Sequence, residues 1–456
     1  MSGLRIGGID TVLRRTKSVC PVCLIKLDAS IIVRGHDYFL KKKCHEHGAF
    51  STVIWRGKNP SFEQWEGDFT AQNAQSRKNT KDSQVMGESC PDSCGLCPAH
   101  LQKTCCALVE ITQRCNLSCS FCFAGSGGCD IADAAMPTLS ALGETFNTLA
   151  AQGNTFVQLS GGEPTMREYL PDIITLARTA GCDTVQLNSN GIRLGEDPDF
   201  TRQLRDAGLS FVFMQFDGTN DDVYLRLRGA KLLEAKLKAI KACGENMIGV
   251  TLVPTIVPGV NDDNIGDIIK FAVENSPQVR GVHFQPVSYF GRYPQPPEDR
   301  DRITLPEILH AIEAQTKGKF TLEDFAPSAC DHPRCGFHGD FVVLPNSKIM
   351  KLTKKGGASC CCAEDAHLKN RNFVSRRWNR AEMSEESSGL SAEMPDMRDM
   401  DTFLNRVKTH GFTITAMAFQ DAYNLDLERL RRCSLHVARG GKIIPFCANY
   451  MTEVSI

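Results

Sequence analysis

The sequence predicts an α/β fold built around a partial (β/α)6 barrel. Six short segments that are rich in apolar residues alternate with amphipathic segments of helical periodicity. Nearly continuous apolar runs are typical of parallel strands that are covered by helices. Polar residues or cysteines follow the strands, as they do on the ligand-binding rim of a barrel. An open doubly wound sheet would show the same alternation, so the pattern alone does not separate the two architectures.

Each element follows from its local pattern. Strands are predicted where β-branched and other apolar residues cluster, and helices where apolar residues recur every three or four positions. The predicted strands are 107–112, 155–160, 184–188, 211–216, 249–257 and 281–287, and the predicted helices are about 138–152, 166–180, 198–207, 230–244 and 262–275.

Four regions are predicted along the chain. Residues 1–85 form a metal-binding ribbon that ends in a polar linker, and residues 86–106 form a cysteine-rich segment. Residues 107–290 form the barrel. Residues 291–456 form a C-terminal α+β region in which 354–400 reads as loop and 401–456 as a helix followed by strands.

Composition excludes several classes of protein. With 52 basic and 53 acidic residues and 42% hydrophobic residues among 456, the chain is neither disordered nor a strongly charged binder of nucleic acid. No apolar run approaches the roughly 20 residues that span a bilayer. The start lacks the apolar core of a signal peptide, which predicts a cytoplasmic protein. The 21 cysteines fall in tight groups, and such groups indicate metal chemistry where thiols are kept reduced.

The strongest motif is a group of three cysteines directly after the first barrel strand. Cys115, Cys119 and Cys122 follow the spacing Cys-x3-Cys-x2-Cys, with Phe121 just before the last cysteine. Three thiolates on one loop can hold three irons of a [4Fe–4S] cube and leave the fourth iron open to a small molecule. A structural zinc site is the alternative.

Polar residues at the strand ends support a ligand site on the same rim. Glycines permit a close approach of the backbone to a ligand, and a glutamate can meet an ammonium group. The candidate cofactor-binding residues are Phe121, Gly161, Gly162, Glu163, Pro164, Asn188, Asn190, Gln215, Asp217 and Gln285.

Three further cysteine groups are candidate metal sites. Cys90, Cys94 and Cys97 with Cys105 (or Cys106) supply the four thiolates of a closed [4Fe–4S] cluster, or of a zinc knuckle. Two pairs that lie far apart in sequence supply a second set of four, or are buried inert thiols. In the ribbon three cysteines need a fourth ligand, either His47, His45 or a distant cysteine, and the metal is zinc or a rubredoxin-like iron. The far pairs are Cys330 with Cys335 and Cys433 with Cys447, and the ribbon cysteines are Cys20, Cys23 and Cys44.

With these motifs in this order, residues 110–290 resemble the radical S-adenosylmethionine (SAM) superfamily. The resemblance implies that Cys115, Cys119 and Cys122 ligate a SAM-binding [4Fe–4S] cluster. It also implies that Gly161 to Glu163 face the methionine amino group of SAM. The chemistry implied is reductive cleavage of SAM to a 5′-deoxyadenosyl radical, which abstracts hydrogen from a C–H bond.

A narrower resemblance spans roughly residues 18–450. The early CPVC…CHEHG, the run CPDSCGLCPAHLQKTC–x9–CNLSCSFCF and the ending FQDAYNLDLERLRRCSLHV…GKIIPFCANYMT are similar to the family of the archaeal tetraether lipid synthase, also known as a 7,8-dihydropterin methylase, and to its bacterial TrsS branch. This resemblance implies two auxiliary [4Fe–4S] clusters and a mononuclear iron. Three adjacent thiols, Cys360 to Cys362, are not expected from the resemblance to the lipid synthase. The substrate of the lipid synthase is therefore not assigned to this chain.

The sequence thus favours a radical SAM enzyme that forms a carbon–carbon bond or methylates carbon. The substrate is a small molecule, a lipid or a peptide, and a low-potential donor such as ferredoxin or flavodoxin supplies electrons, which suits an anaerobic host. A multi-zinc protein that binds nucleic acid would show a basic face with interleaved aromatics, but only 7% of residues are aromatic. A polyferredoxin-like electron carrier would not need six β/α units.

Overall fold

The computed structural model describes residues 10–67, 96, 100–127, 136–328, 330–353, 366–379 and 399–452. The strands are β1 Thr11–Val19, β2 Lys26–Arg34, β3 Asp37–Cys44, β4 Gly48–Trp55, β5 Cys106–Thr112, β6 Phe156–Gly161, β7 Thr184–Ser189, β8 Phe211–Gln215, β9 Gly249–Val253, β10 Thr255–Ile256, β11 Val279–Pro286, β12 Ala326–Pro327, β13 Gly336–Val343, β14 Ile349–Lys351, β15 Gly411–Met417, β16 Leu435–Arg439 and β17 Lys442–Pro445. The helices are α1 Phe62–Glu66, α2 Leu139–Ala151, α3 Leu170–Thr179, α4 Ile192–Glu196, α5 Pro198–Asp206, α6 Asp221–Arg228, α7 Leu233–Glu245, α8 Ile265–Glu274, α9 Leu305–Gln315, α10 Ala366–Trp378, α11 Met400–Thr409, α12 Leu427–Leu430 and α13 Phe446–Thr452.

The N-terminal ribbon is an antiparallel sheet of four strands in the order β1-β2-β3-β4. Gly35, at φ 65°, makes the tight turn between β2 and β3, where a left-handed conformation favours glycine. Trp55 at the end of β4 and Phe62 in α1 are almost fully buried and meet edge to face, so the ribbon has an apolar base. Because Trp55 pairs with Tyr38, this base lies at the end of the ribbon next to the β2–β3 turn, opposite the end that carries Cys44 and Gly48.

The six predicted barrel strands are confirmed. β5, β6, β7, β8, β9 and β11 lie side by side in this order, and every pair runs parallel. Their side chains alternate between the two faces of the sheet: Val157 and Leu159 of β6 pack in the hydrophobic core, whereas Gln158 lines the inner cavity. The carboxyl ends of the strands therefore share one rim, on which the polar strand-end residues meet.

The C-terminal region adds to the same sheet. β15 pairs parallel with β11, and β16 pairs parallel with β5, so eight parallel strands lie next to one another in the described part of the chain. β12, β13, β14 and β17 extend the two edges with antiparallel strands.

Within 354–400, which the sequence predicts as loop, residues 366–378 form the helix α10, so that prediction is wrong there. The helix carries few apolar residues, and its placement rests on tertiary contacts rather than on periodicity. The carbonyl oxygen of Trp378 lies so close to Gly249 that a Cβ at that glycine would be 2.1 Å away. Because Gly249 begins β9, α10 covers the amino ends of the strands, opposite the rim.

A buried ionic network fixes the ribbon to the C-terminal region. The guanidinium of Arg334 lies 2.6 Å from Glu66 at the end of α1 and 2.7 Å from Asp426, and all three side chains are at most 7% exposed. Thr16 of β1 also donates to Asp426 at 2.6 Å. In the described residues no helix is long and apolar enough to cross a membrane.

Candidate active site

The three-cysteine loop lies at the rim, directly after β5. Cys119 is buried, Cys115 and Cys122 are half-buried, and all three line one cavity. Burial raises the pKa of the Cys115 thiol to about 12, and the neighbouring Glu163, Cys119 and Cys122 add to this shift. Burial also raises the pKa of Cys122, with Cys119 contributing. Grouped thiols in an apolar pocket are stabilised as thiolates when a metal or cluster supplies positive charge, so this donor set fits an iron–sulfur cluster.

A segment after β11 secures the loop. Arg292 exchanges backbone hydrogen bonds of 2.9 Å with Cys122 in both directions, and its side chain donates to the Cys119 carbonyl at 2.8 Å. The preceding Gly291 has φ 64°, and a Cβ there would lie 2.3 Å from the Cys122 carbonyl oxygen. The sequence alone did not single out this support.

Gly161 and Gly162 line the cavity. Besides permitting a ligand to approach the backbone, the lack of side chains at these positions permits close packing of two backbone segments. A Cβ at Gly161 would lie 2.1 Å from the carbonyl oxygen of Thr112, and one at Gly162 would lie 2.1 Å from that of Arg114. The backbone nitrogen of Gly162 donates to Thr112 at 2.8 Å, and that of Glu163 donates to Arg114 at 2.8 Å. The glycines thus let the end of β6 pack against the segment that leads into the cysteine loop.

The carboxylate of Glu163 ties two strand ends together. It accepts hydrogen bonds from the Thr165 hydroxyl and the Ser189 hydroxyl at 2.7 Å, and from the backbone nitrogen of Asn190 at 2.6 Å. Asn190 in turn donates from its side chain to Asn116 in the cysteine loop at 2.7 Å. These contacts place an acceptor oxygen at the cavity wall in a fixed orientation, beside the thiols.

Asp217 does not line the cavity. Its carboxylate is fully buried and accepts two hydrogen bonds from Arg228, from Nε at 2.7 Å and from Nη2 at 2.8 Å. Arg228 does line the cavity, and its Nη1 donates to the Phe121 carbonyl at 3.1 Å. Asp217 therefore orients a cation instead of contacting a ligand itself.

Sequence reasoning missed Arg228 and Lys236, two buried cations beside this rim. Lys236 donates to the carbonyl of Asn190 and lies 3.3 Å from the Gln215 side chain. Burial lowers the pKa of Lys236 to about 8. Charged residues at buried positions of α6 and α7, which otherwise cover the sheet with apolar side chains, are the signal that could have found them.

One cavity of about 280 Å³ connects the candidates. Phe121 stands at its wall with its ring 6.1 Å from that of Tyr289. Pro164 begins a short 3₁₀ turn behind the cavity and is not part of its lining. Of the predicted cofactor-binding residues, the cavity is lined by Phe121, Gly161, Gly162, Glu163, Asn188, Asn190, Gln215 and Gln285.

Two kinds of neighbour surround the C-terminal cysteines, which the sequence predicts as one set of four. Cys335, Cys433 and Cys447 influence one another electrostatically, and burial raises the pKa of each thiol. Cys330 instead interacts with Cys105, which is the main reason that its pKa is well above the ordinary value. A 3₁₀ turn over Pro333–Cys335 separates Cys330 from Cys335, so the two face different neighbours. Cys90, Cys94 and Cys97, as well as Cys360 to Cys362, lie outside the described residues.

The ribbon brings four metal donors together. Cys20, Cys23, Cys44 and His47 place one ligand atom each within 4.8 Å of the others. The Nδ1 atom of His47 lies 3.5 Å from the Cys44 sulfur and 3.7 Å from the Cys20 sulfur. Burial opposes ionisation of Cys44, but hydrogen bonds from the backbone and ring of His47 outweigh it and lower the pKa of this thiol to about 6. Three thiols and one imidazole are a donor set of the kind that zinc takes.

Comparisons with known proteins agree with this fold. The profile of the Radical SAM superfamily matches residues 109–272, and that of the HMPTM N-terminal zinc ribbon domain matches residues 12–56. The chain is 32% identical to the 7,8-dihydro-6-hydroxymethylpterin dimethyltransferase of Methanocaldococcus jannaschii, over 95% of this chain and 92% of that protein. It is 28% identical to a GTP 3′,8-cyclase of Clostridium perfringens over 46% of this chain and 62% of that protein. The crystal structure of a radical SAM methyltransferase from Sphaerobacter thermophilus aligns with 69% of this chain and 76% of that one, at 13% identity and a TM-score of 0.35.

The barrel with a three-cysteine loop on its rim is that of a radical SAM enzyme, and this superfamily uses a [4Fe–4S] cluster and SAM. The predicted fold class and enzyme class are confirmed. Because the similarity to the M. jannaschii protein spans nearly the whole chain, the chain belongs to the radical SAM family of 7,8-dihydro-6-hydroxymethylpterin dimethyltransferase. Its chemistry is thus C-methylation or carbon–carbon coupling.

Proposed function

We propose that Cys115, Cys119 and Cys122 hold the SAM-binding [4Fe–4S] cluster and that SAM lies in the cavity beside them. The observation that carries the proposal is that three thiols share one cavity wall with a fixed carboxylate, Glu163, and a fixed guanidinium, Arg228. An amino acid zwitterion such as the methionine part of SAM offers an ammonium and a carboxylate, which match these two charges. Family chemistry then makes the site a source of the 5′-deoxyadenosyl radical.

The residues of the chain bind, orient and shield in this proposal. Glu163 accepts from the ammonium of SAM with Oε2, and the Ser189 and Thr165 hydroxyls fix the direction of the carboxylate by donating to Oε1. Arg228, oriented by Asp217, meets the carboxylate. Phe121 covers the adenine side and, with the apolar part of the cavity wall, shields a reactive radical from water.

The test is an anaerobic assay of the reconstituted protein with SAM and dithionite, with 5′-deoxyadenosine and bound iron measured together. Cys119→Ala is expected to abolish 5′-deoxyadenosine formation and to remove about four irons, the content of one cluster. Cys243→Ala is the matched control, because Cys243 is a buried thiol of α7 outside the cavity. Wild-type protein that binds zinc without iron and leaves SAM intact would refute the proposal.

We propose further that the other cysteines hold two auxiliary clusters. Arg429 donates to the Cys335 sulfur at 3.5 Å, and the backbone nitrogen of Gln420 donates to the Cys447 sulfur at 3.2 Å, as expected around ligand sulfurs that carry negative charge. Cys335, Cys433 and Cys447 would serve one cluster. Cys105 and Cys330 would supply two of the four ligands of the other cluster, and two of Cys90, Cys94 and Cys97 would supply the rest.

Two variants separate these sets. Cys433→Ala and Cys330→Ala are each expected to lose about one cluster of iron and to change different electron paramagnetic resonance signals of the reduced protein. If both variants lost the same signal, the division into two sets would be wrong.

The ribbon metal in this proposal is zinc, held by Cys20, Cys23, Cys44 and His47. Its donor set of three thiols and an imidazole departs from the four thiolates of a rubredoxin-like iron. We also propose a cytoplasmic enzyme that receives electrons from a ferredoxin or flavodoxin and acts on a compact molecule related to the dihydropterin for which the M. jannaschii relative is named.

A further inference from the structure

Below the rim, the cavity continues into a second layer of side chains that the proposed SAM site does not use. Gln186, Phe213 and His283 precede Asn188, Gln215 and Gln285 by two positions on their strands, so they point inward about 6–7 Å deeper in the barrel. We call this layer, together with Gln158 and Trp378, the barrel floor. All five floor residues line the cavity.

The barrel floor is an uncharged, mostly aromatic surface. The rings of Phe213 and Trp378 are 5.0 Å apart, and the imidazole of His283 lies 5.0 Å from Phe213 and 6.3 Å from Trp378. The indole nitrogen of Trp378 donates to the Thr413 hydroxyl at 2.9 Å, which fixes the ring in place. Because α10 ends in Trp378, this ring lies at the amino ends of the strands, beneath the cavity.

The hydrogen-bond network assigns the proton of His283. Its Nδ1 lies 2.8 Å from the hydroxyl oxygen of Thr415, and this hydroxyl donates to the carbonyl of Val282 at 3.5 Å. The Thr415 oxygen therefore accepts from Nδ1–H, and Nε2 keeps its lone pair. No described residue is within hydrogen-bonding distance of Nε2. Burial lowers the pKa of His283 to about 4, so the ring stays neutral at physiological pH.

A second unpartnered group lies in the same layer. Gln158 and Gln186 stand opposite each other in the register of β6 and β7. Gln186 as a whole residue is 2% exposed and lines the cavity, and no hydrogen bond joins its side chain to another described residue. Buried amides and imidazoles are expensive to leave unpaired, which indicates that a ligand supplies the missing hydrogen bonds.

We infer that the barrel floor is the substrate site and that His283 is its specificity-determining residue: Nε2 accepts a hydrogen bond from an N–H or O–H group of a compact, uncharged substrate with a planar body. The inference rests on the proposed function, since it places the substrate next to the SAM site. A saturated alkyl chain would leave Nε2 and the Gln186 amide unpaired.

The experiment is equilibrium dialysis of the holoenzyme with SAM but without a reductant, so that no turnover occurs. The probes are 7,8-dihydro-6-hydroxymethylpterin and naphthalene, a bicyclic ring of similar size without N–H or O–H groups. His283→Phe keeps a ring and removes the acceptor, and we expect it to weaken dihydropterin binding about tenfold, the effect of one lost hydrogen bond in a closed site. Naphthalene binding should not weaken. His283→Gln, which restores an acceptor, should recover part of the loss.

His310→Phe provides the matched control, because His310 is exposed on α9, far from the cavity lining. Equal iron content in all variants shows that they are folded. Unchanged dihydropterin binding in His283→Phe, no binding to the wild type, or naphthalene binding as tight as that of the dihydropterin would each overturn the inference. If SAM cleavage depended on Cys119 but the dihydropterin did not bind, the inference would fail and the proposed function would stand. If the dihydropterin bound as expected but SAM were not cleaved, the radical mechanism alone would be refuted.

Discussion

Arg228 and Asp217 form a two-point ion pair beneath the rim of the barrel, with N–O distances of 2.7 and 2.8 Å and side chains that are 5% and 0% exposed. The backbone nitrogen of Thr255 also donates to Asp217 at 3.1 Å. The Asp217 carboxylate is thus satisfied entirely by protein groups, while the guanidinium reaches the cavity. A fixed cation of this kind can bind a carboxylate without reorganising when the ligand arrives.

The first prediction concerns this pair. Asp217→Asn leaves the buried guanidinium without its counter-charge and should cost about 3–5 kcal/mol of stability. It should also weaken SAM binding, because Arg228 loses its orientation. Thermal melting and equilibrium dialysis with SAM measure the two effects.

Asp199→Asn is the control for the ion pair. Asp199 pairs with Arg202 on the surface of α5 with its side chain 79% exposed, and removing such a pair should cost less than about 1 kcal/mol. If Asp217→Asn melted at the same temperature as Asp199→Asn and bound SAM normally, the orienting role of Asp217 would be refuted.

The second prediction concerns the strand end that faces the cysteine loop. Gly162→Ala places a Cβ 2.1 Å from the backbone oxygen of Arg114, and a backbone atom cannot move aside cheaply. We expect the loop to shift and about four irons to be lost from the reconstituted protein, together with SAM cleavage. Gly143→Ala in α2 meets nothing within 4 Å and should keep its iron, with a stability gain of up to about 1 kcal/mol. A Gly162→Ala protein with full iron content would contradict this account.

How far the sequence predicts the molecule depends on whether a feature is local. The strands and the three-cysteine loop are specified by residues that are close together in sequence. The structure has the predicted strands within a few residues of their expected bounds. The contact of Cys330 with Cys105 joins residues 225 positions apart, which no spacing rule connects. The helix α10 is polar along much of its length and takes its position from Trp378.

The role of Asp217 shows the same limit within the site. Its place at a strand end correctly predicts that it lies near the rim, but a strand end does not reveal whether a carboxylate faces a ligand or a neighbouring arginine. Arg228 lies on a helix whose cavity-facing turn is set by tertiary packing. Residues that meet only in the folded chain therefore need the structure.

The third prediction concerns the ribbon metal. His47→Ala removes one of four donors, and we expect zinc to be lost on dialysis against a chelator at a concentration that leaves the wild type loaded. His45→Ala is the control, because His45 is exposed and outside the donor group. Zinc is measured by mass spectrometry of the metal content. If His45→Ala lost zinc and His47→Ala kept it, the fourth ligand would be the other imidazole.

The fourth prediction concerns Lys42, a buried lysine that fixes the ribbon to the C-terminal region. Its ammonium donates to the Ser18 hydroxyl at 3.0 Å and to the Ala422 carbonyl at 2.6 Å. Burial lowers the pKa of Lys42 from 10.5 to about 7. Between these two pH values the unfolded chain binds the proton more tightly than the folded chain, so stability contributed by this group rises with pH by at most about 1.4 kcal/mol per unit.

Lys42→Met removes this titrating group, so the stability of the variant should rise less with pH than that of the wild type. The unfolding midpoint of Lys42→Met, relative to that of the wild type, should therefore be higher at pH 7.5 than at pH 9.5. Both pH values lie between the two pKa values of about 7 and 10.5. Lys41→Met, at a lysine that is 51% exposed, should change the midpoint equally at both pH values. A Lys42→Met difference that stayed constant between the two pH values would show that the Lys42 ammonium keeps its ordinary pKa in the folded protein.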